Sequence, residues 1–76
     1  MFHGEQFVEI TSPFIKLDSF LKLAGLCMSG GEAKTLIAEG LIKVNGEVCL
    51  QRGRKIKPGD TVQYQRETRT VKADEA

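Results

Sequence analysis

The residues best suited to chemistry in this chain are basic side chains concentrated in its middle third. Residues 34–57 contain six lysines and arginines against two acidic residues, although the formal net charge of the whole chain is only +1. A polyanion responds to such a local patch more than to the net charge of the molecule. The concentration therefore favours a nucleic-acid ligand, while an ordinary solvated surface is the alternative explanation.

A second feature suited to anion binding is the Gly30-Gly31 pair that follows Ser29. Ser29 and Glu32 have the spacing of a capping box, in which the hydroxyl accepts from the Glu32 amide and the carboxylate accepts from the Ser29 amide. Gly30 and Gly31 would then present bare backbone N–H groups at a helix start, where anions bind. The alternative is that these glycines only relieve crowding at a tight junction between two helices.

Catalytic and metal-binding patterns are missing from the sequence. His3 is the only histidine, Cys27 and Cys49 do not form a Cys-x-x-Cys pair, and no nucleotide-binding glycine motif is present. We therefore expect no enzyme activity, no metal and no cofactor. Both cysteines are expected to be small hydrophobic residues in or near the core of a reduced, cytoplasmic protein. No signal peptide or transmembrane segment is predicted.

Two short helices are predicted to position these groups. The apolar residues of the first recur at helical spacing: Leu17, Phe20, Leu21 and Ala24. Those of the second do the same: Ala33, Leu36, Ile37 and Leu41. Gly25 and Gly40 are placed to end the two helices in left-handed backbone conformation. Because only three residues separate Gly25 from Ser29, the helices must form a hairpin or a sharply angled pair.

Short strands are predicted around the helices. The expected strands are Phe7–Thr11, Leu41–Val44, Glu47–Leu50, Lys55–Lys57, Thr61–Tyr64 and an edge strand at Glu67–Val71. The second and third should pair across an Asn45-Gly46 turn, with Lys43 on the solvent face. Gln51–Arg54 has the composition of a loop or bulge in which Gly53 permits a positive φ.

These elements predict one domain over residues 1–76, with residues 1–6 and 73–76 frayed. Its fold class should be α+β, with two short helices packed on a small, mostly antiparallel sheet. Eleven apolar residues should supply the core: Leu17, Phe20, Leu21, Ala33, Leu36, Ile37, Leu41, Val44, Val48, Ile56 and Val62.

The stretch SGGEAKTLIAEGLIKVNGE resembles the central motif of the S-four RNA-binding domain, also called the alpha-L RNA-binding motif. Family members combine a Ser-x-x-Glu-Ala helix start with a glycine stop and a Val-Asn-Gly hairpin. The resemblance runs from about Ile15 to Tyr64. Many members have an arginine in the helix cap, where this chain has Gly30-Gly31, and a basic residue at the position of Thr35. In these departures the chain is most similar to small stand-alone, ribosome-associated members.

The resemblance implies a small module that binds structured RNA, ribosomal RNA above all, and acts in ribosome assembly or translation. The implied contact residues are Lys16, Lys22, Ser29, Gly30, Gly31, Lys34, Lys43, Asn45, Arg52, Arg54 and Lys55. We expect a monomer, with ribosomal proteins as further partners. Since Tyr64 alone among the aromatic residues is close in sequence to the basic segment, we expect readout of phosphates and shape rather than base stacking. The alternative is a protein-interaction adaptor on the same fold, with little RNA affinity.

Overall fold

The structure is a computed structural model that describes residues 6–73, and within that range it contains seven strands and two helices. In chain order these are β1 (Gln6–Ile10), β2 (Ile15–Lys16), α1 (Leu17–Leu23), α2 (Gly30–Ala38), β3 (Ile42–Val44), β4 (Glu47–Val48), β5 (Lys55–Ile56), β6 (Thr61–Tyr64) and β7 (Glu67–Ala73). The predicted α+β class, with two short helices on a mostly antiparallel sheet, is confirmed. Neither of these helices is long and apolar enough to cross a membrane.

Five strands form the main sheet, in the order β1-β7-β6-β3-β4. Every neighbouring pair is antiparallel except β1 and β7, which run parallel. The predicted strand at Glu67–Val71 is present as part of β7, but its predicted edge position is wrong, because β1 pairs with the other side of β7. Gln6 and Ala73 were expected to fray but pair at the two ends of this contact. The other residues expected to fray, 1–5 and 74–76, lie outside the described residues.

The remaining two strands pair only with each other. β2 and β5 are antiparallel, with Ile15 opposite Ile56 and Lys16 opposite Lys55. We call these four residues the β2–β5 ribbon. The strand at Ile15–Lys16 was not predicted, since two residues are too few to show an alternating pattern.

Both helices are terminated by the predicted glycines, Gly25 and Gly40, in left-handed backbone conformation. Gly25 and Gly40 have φ values of +77° and +75°, which side chains with a Cβ rarely adopt. The amide after each glycine donates to a carbonyl in the last turns of its helix: Leu26 to Leu21 at 2.9 Å and Leu41 to Leu36 at 3.1 Å. These are the hydrogen bonds of a Schellman motif. Because the link between the helices is short, α1 packs against α2.

The hydrophobic core joins both helices to one face of the main sheet and to the ribbon. Its buried residues are Ile10, Leu17, Phe20, Leu21, Cys27, Ala33, Leu36, Ile37, Ile42, Val44, Cys49, Ile56, Val62 and Val71. The prediction was wrong for Leu41 and Val48, which are 45% and 53% exposed. Leu41 follows the helix and takes the strand alternation instead, so that Ile42 faces the core. Both cysteines are buried and free, as expected of small hydrophobic residues.

The second face of the main sheet points away from the helices, and we call it the outer face. Lys43 lies on it because the strand neighbours of Lys43, Ile42 and Val44, are buried. Residues opposite each other in an antiparallel pair share a face, which places Gln63 and Val48 beside Lys43. The predicted solvent orientation of Lys43 is thus confirmed.

Candidate nucleic-acid interface

The start of α2 is capped as predicted in one respect and differently in the other. The Ser29 hydroxyl accepts a hydrogen bond from the Glu32 amide at 3.1 Å, which confirms Ser29 as the N-cap. The Glu32 carboxylate, however, accepts from the Met28 amide at 2.7 Å rather than from the Ser29 amide. The carboxylate thus reaches one residue further back and ties the helix start to the link between the helices.

The two glycines after this cap leave backbone amides open. Among the described residues, the N–H groups of Gly30 and Gly31 donate to no protein acceptor. A Cβ on Gly30 would meet nothing within 4 Å, and one on Gly31 would meet only the Ser29 hydroxyl at 3.9 Å. Neither glycine has a positive φ. The interpretation that they relieve crowding between the helices is therefore wrong.

Two lysines lie near this helix start. Lys22 and Glu32 both act electrostatically on the Cys27 thiol, which donates to the Ser29 carbonyl at 3.3 Å. Burial raises the pKa of that thiol above its ordinary value, and of the two nearby charges Glu32 raises the pKa further and Lys22 lowers it. Lys22 is in the last turn of α1, which the short link joins to the α2 cap. Lys34 is exposed on the first turns of α2. We call this group the cap cluster: Lys22, Ser29, Gly30, Gly31 and Lys34.

The loop that carries Arg52 and Arg54 is docked on the start of α1 through its backbone. The Leu17 amide donates to the Arg54 carbonyl at 2.9 Å, and the Asp18 amide donates to the Arg52 carbonyl at 3.1 Å. These bonds hold the backbone from which both exposed arginine side chains project, although the loop is irregular. Gly53 does not adopt the positive φ that its type permits.

Two like charges face each other directly beside this loop. Lys16 and Lys55 are opposite residues of the β2–β5 ribbon, so their side chains leave the same face. Within residues 6–73 the only ion pair joins Arg69 to Glu67, which leaves both lysines without a carboxylate partner there. We call the second basic group the ribbon cluster: Lys16, Arg52, Arg54 and Lys55.

An aromatic side chain that was not among the predicted contact residues, Phe14, lies beside the ribbon cluster. The ammonium of Lys55 lies 4.8 Å from the centroid of the Phe14 ring, and Phe14 is 38% exposed. In sequence Tyr64 is the aromatic residue close to the basic segment, but in the fold Phe14 contacts a lysine of that segment. A signal was available, because Phe14 and Lys16 are two residues apart on either side of Ile15, the spacing that shares one face of a strand.

The two clusters lie at opposite ends of α1. Lys16 directly precedes this helix, and Lys22 is in its last turn. A helix of this length spans about 10 Å, which is short compared with any folded nucleic acid. The two clusters are therefore separated by little more than the length of α1.

Two of the predicted contact residues lie apart from these clusters. Lys43 projects from the outer face, on the side of the sheet away from the helices. Asn45 has a φ of +52° in the hairpin turn, and its side chain is already engaged. The Asn45 carbonyl oxygen accepts from the Thr61 amide at 2.9 Å, and the Asn45 amide group donates to Asp60 at 3.1 Å. In this structure Asn45 joins the hairpin to the start of β6.

Comparison with known proteins agrees with this architecture. Residues 8–72 match the family described as the S4 domain. The chain is 41% identical over 58 residues to the probable ribosome maturation protein RlbA of Bacillus subtilis, covering 76% of this chain and 82% of RlbA. It is 44% identical over 52 residues to YbcJ of Escherichia coli, covering 68% and 74% of the two chains.

A solved structure extends the likeness to the fold. The solution structure of E. coli YbcJ, described as containing an alpha-L motif involved in RNA binding, superposes with a TM-score of 0.67 at 34% identity. The superposition covers 96% of this chain and 91% of YbcJ. A tyrosine–tRNA ligase of Ralstonia nicotianae is 36% identical over 55 residues, which is 72% of this chain but 14% of the ligase. The same unit therefore occurs both in small proteins and as a minor part of a large enzyme.

Proposed function

Since the chain belongs to the S4 domain family, we propose that it binds structured RNA, with ribosomal RNA as the target, through the cap and ribbon clusters. The role is non-catalytic and serves ribosome assembly or translation in the cytoplasm. The names of its relatives support this role, because RlbA is named for ribosome maturation and YbcJ is described as having an RNA-binding motif.

The observation that carries the proposal is the pair of basic clusters at the two ends of α1. The ribbon cluster contributes four cations, and the cap cluster contributes two cations and the open amides of Gly30 and Gly31. Phosphate contacts of this kind supply most of the affinity of proteins for nucleic acids and carry little sequence information. A folded RNA that brings two phosphate groups close together would satisfy both clusters, which supports a structured target.

Salt dependence is the sharpest test of this proposal. If three or four phosphates are neutralised, the logarithm of affinity should fall with the logarithm of salt concentration at a slope of about −2 to −4. The triple variant Lys34→Ala, Arg52→Ala, Arg54→Ala should bind more weakly and with a shallower slope. The measurement is a filter-binding titration against ribosomal RNA fragments at several salt concentrations.

Lys43→Ala is the control for loss of a cation outside the two clusters, although it removes one cation and the triple variant removes three. This variant loses an exposed cation of the outer face. Its affinity and salt slope should equal those of the wild type. Equal affinities and slopes for the wild type and the triple variant would contradict the proposed surface.

A second candidate function, a protein-interaction adaptor, is favoured by one observation. Leu41, Val48 and Leu50 are exposed, and a Cβ on Gly40 would lie 3.7 Å from Val48 and 3.9 Å from Leu50. The side chains of Val48 and Leu50 thus both lie over Gly40, the residue before the exposed Leu41, and exposed apolar patches are a common feature of protein contact sites. RNA binding that is absent at all salt concentrations would favour this function over the first.

A further inference from the structure

We propose that Phe14 and Lys55 form a nucleotide site, in which the Phe14 ring stacks on an unpaired base and Lys55 holds a phosphate. The inference rests on the proposed RNA-binding function and narrows its ligand to folded RNA with an unpaired nucleotide, such as a bulge or loop. A continuous duplex offers no free base and would engage only the phosphate contacts.

The first argument is that the ring is accessible. Phe14 is 38% exposed and is not among the buried residues of the core. The ammonium of Lys55, a strongly hydrated group, lies over the ring at 4.8 Å from its centroid, so this face is open to solvent and a stacking base would displace the ammonium toward the base's own phosphate. Aromatic side chains that combine with cations at a surface are what proteins use to stack unpaired bases.

The second argument is that the backbone below the ring is held in place. The Ser12 hydroxyl donates to the Phe14 carbonyl at 2.7 Å. The next residue, Ile15, pairs with the fully buried Ile56 and packs against the core. The backbone of Phe14 is therefore held on both sides, and little backbone freedom would be lost when a base stacks on the ring.

The third argument is electrostatic. Lys16 directly opposes Lys55, and within residues 6–73 neither forms an ion pair. Repulsion between the two opposed lysines destabilises the free protein, and a bound phosphate would reduce that repulsion. A single nucleotide carries both groups that this site lacks, a base for the ring and a phosphate for the ammonium.

The chain contains a matched pair that lacks these features. Phe7 is 62% exposed, with the Lys72 ammonium 6.0 Å from its ring centroid. Phe7 alternates with Val8 and lies on the outer face, away from both clusters. The register partner of Lys72 is the acidic residue Glu9 rather than a second lysine. Phe7 is therefore the control for a merely exposed aromatic residue beside a lysine.

The test uses the full chain and two RNA hairpins, one fully paired and one identical except for a single bulged 2-aminopurine. The wild type should bind the bulged hairpin about 5- to 150-fold more tightly, the range expected for stacking of one base. Its binding should also quench the 2-aminopurine fluorescence. Phe14→Leu should lose both the preference and the quenching but keep the affinity and salt slope for the paired hairpin. Phe14→Tyr should retain all of these properties, and so should Phe7→Leu.

The outcomes separate this inference from the function on which it rests. Salt-sensitive binding without preference for the bulge, or a preference that survives Phe14→Leu, would overturn the nucleotide site and leave the RNA-binding proposal standing. A preference lost equally in Phe7→Leu would also overturn it. Absence of salt-sensitive binding to both hairpins would overturn the proposed function and this inference together. Circular dichroism of each variant checks that the fold is retained.

Discussion

Lys16 and Lys55 stand directly opposite each other across the two-stranded ribbon, and no carboxylate of the described residues forms an ion pair with either. Like charges in this position destabilise a strand pair. Repulsion between the two lysines therefore destabilises the free protein, and a bound polyanion would reduce this repulsion. This relationship connects the stability of the ribbon to its proposed ligand.

Replacing Lys16 by Glu should therefore stabilise the protein while weakening its binding to RNA. The new carboxylate would oppose Lys55, and cross-strand charge pairs of this kind contribute roughly 0.2–1 kcal/mol. The gain in the free energy of unfolding should shrink as salt rises. Urea denaturation at low and high salt measures the first effect, and filter binding measures the second.

Lys43→Glu is the control for that substitution, because it makes the same change in charge. Its opposite residues, Gln63 and Val48, are uncharged, so its stability should stay close to that of the wild type. If both variants gained stability equally, the effect would belong to net charge and not to the Lys16–Lys55 pair.

Loss of a core side chain should lower the free energy of unfolding more than loss of the helix cap. Leu36→Ala removes buried methyl groups between α2 and the core and should cost roughly 2–5 kcal/mol. Ser29→Ala removes one capping hydrogen bond and should cost about 1 kcal/mol. Denaturant unfolding of both variants gives the ranking. A larger loss for Ser29→Ala would contradict the assignment of Leu36 to the core.

Asn45 should stabilise the hairpin in two separable ways. Asn45→Gly keeps the positive φ but loses the hydrogen bonds to Asp60 and Thr61, at a cost of about 1–2 kcal/mol. Asn45→Ala loses the same bonds and also places a Cβ in left-handed backbone, so it should cost about 1 kcal/mol more. Thermal or urea unfolding distinguishes the two. Equal losses would indicate that the turn conformation contributes nothing.

The buried Cys27 thiol should make stability decline at alkaline pH. Burial raises its pKa in the folded chain, so the unfolded thiol ionises first as pH rises. The contribution of the thiol is complete below the unfolded pKa of about 8.5 and is lost as pH rises toward the folded value. Urea unfolding of Cys49→Ala between about pH 7 and pH 10 should show this decline. The double variant Cys27→Ala, Cys49→Ala should show less of it, and identical slopes would refute the prediction.

The local features of this fold could be read from the sequence because each depends on residues a few positions apart. Ser29 caps α2, Gly40 terminates it just beyond its C-cap, and Asn45-Gly46 forms the hairpin turn, each through contacts within its own segment. Glycine, capping and turn residues restrict the backbone locally, whatever the rest of the chain does. These same positions carry the resemblance to the S4 domain family.

The arrangement of the candidate site required the tertiary structure. Phe14 and Lys55 meet only because β2 pairs with β5, and strands of two residues have no periodic pattern that could predict their partners. The parallel pairing of β1 with β7 is likewise a contact between the two ends of the chain.

The sequence likewise predicts that Lys43 is exposed, but it does not predict from which side of the molecule the side chain projects. Alternation with Ile42 and Val44 predicts a solvent-facing side chain, but only the packing of the helices on one face of the sheet decides which side of the molecule that is. Local residue preferences determined the elements and their ends. Long-range strand pairing and burial decided which charged side chains lie together, because contacts between distant elements form only when all of them pack into one core.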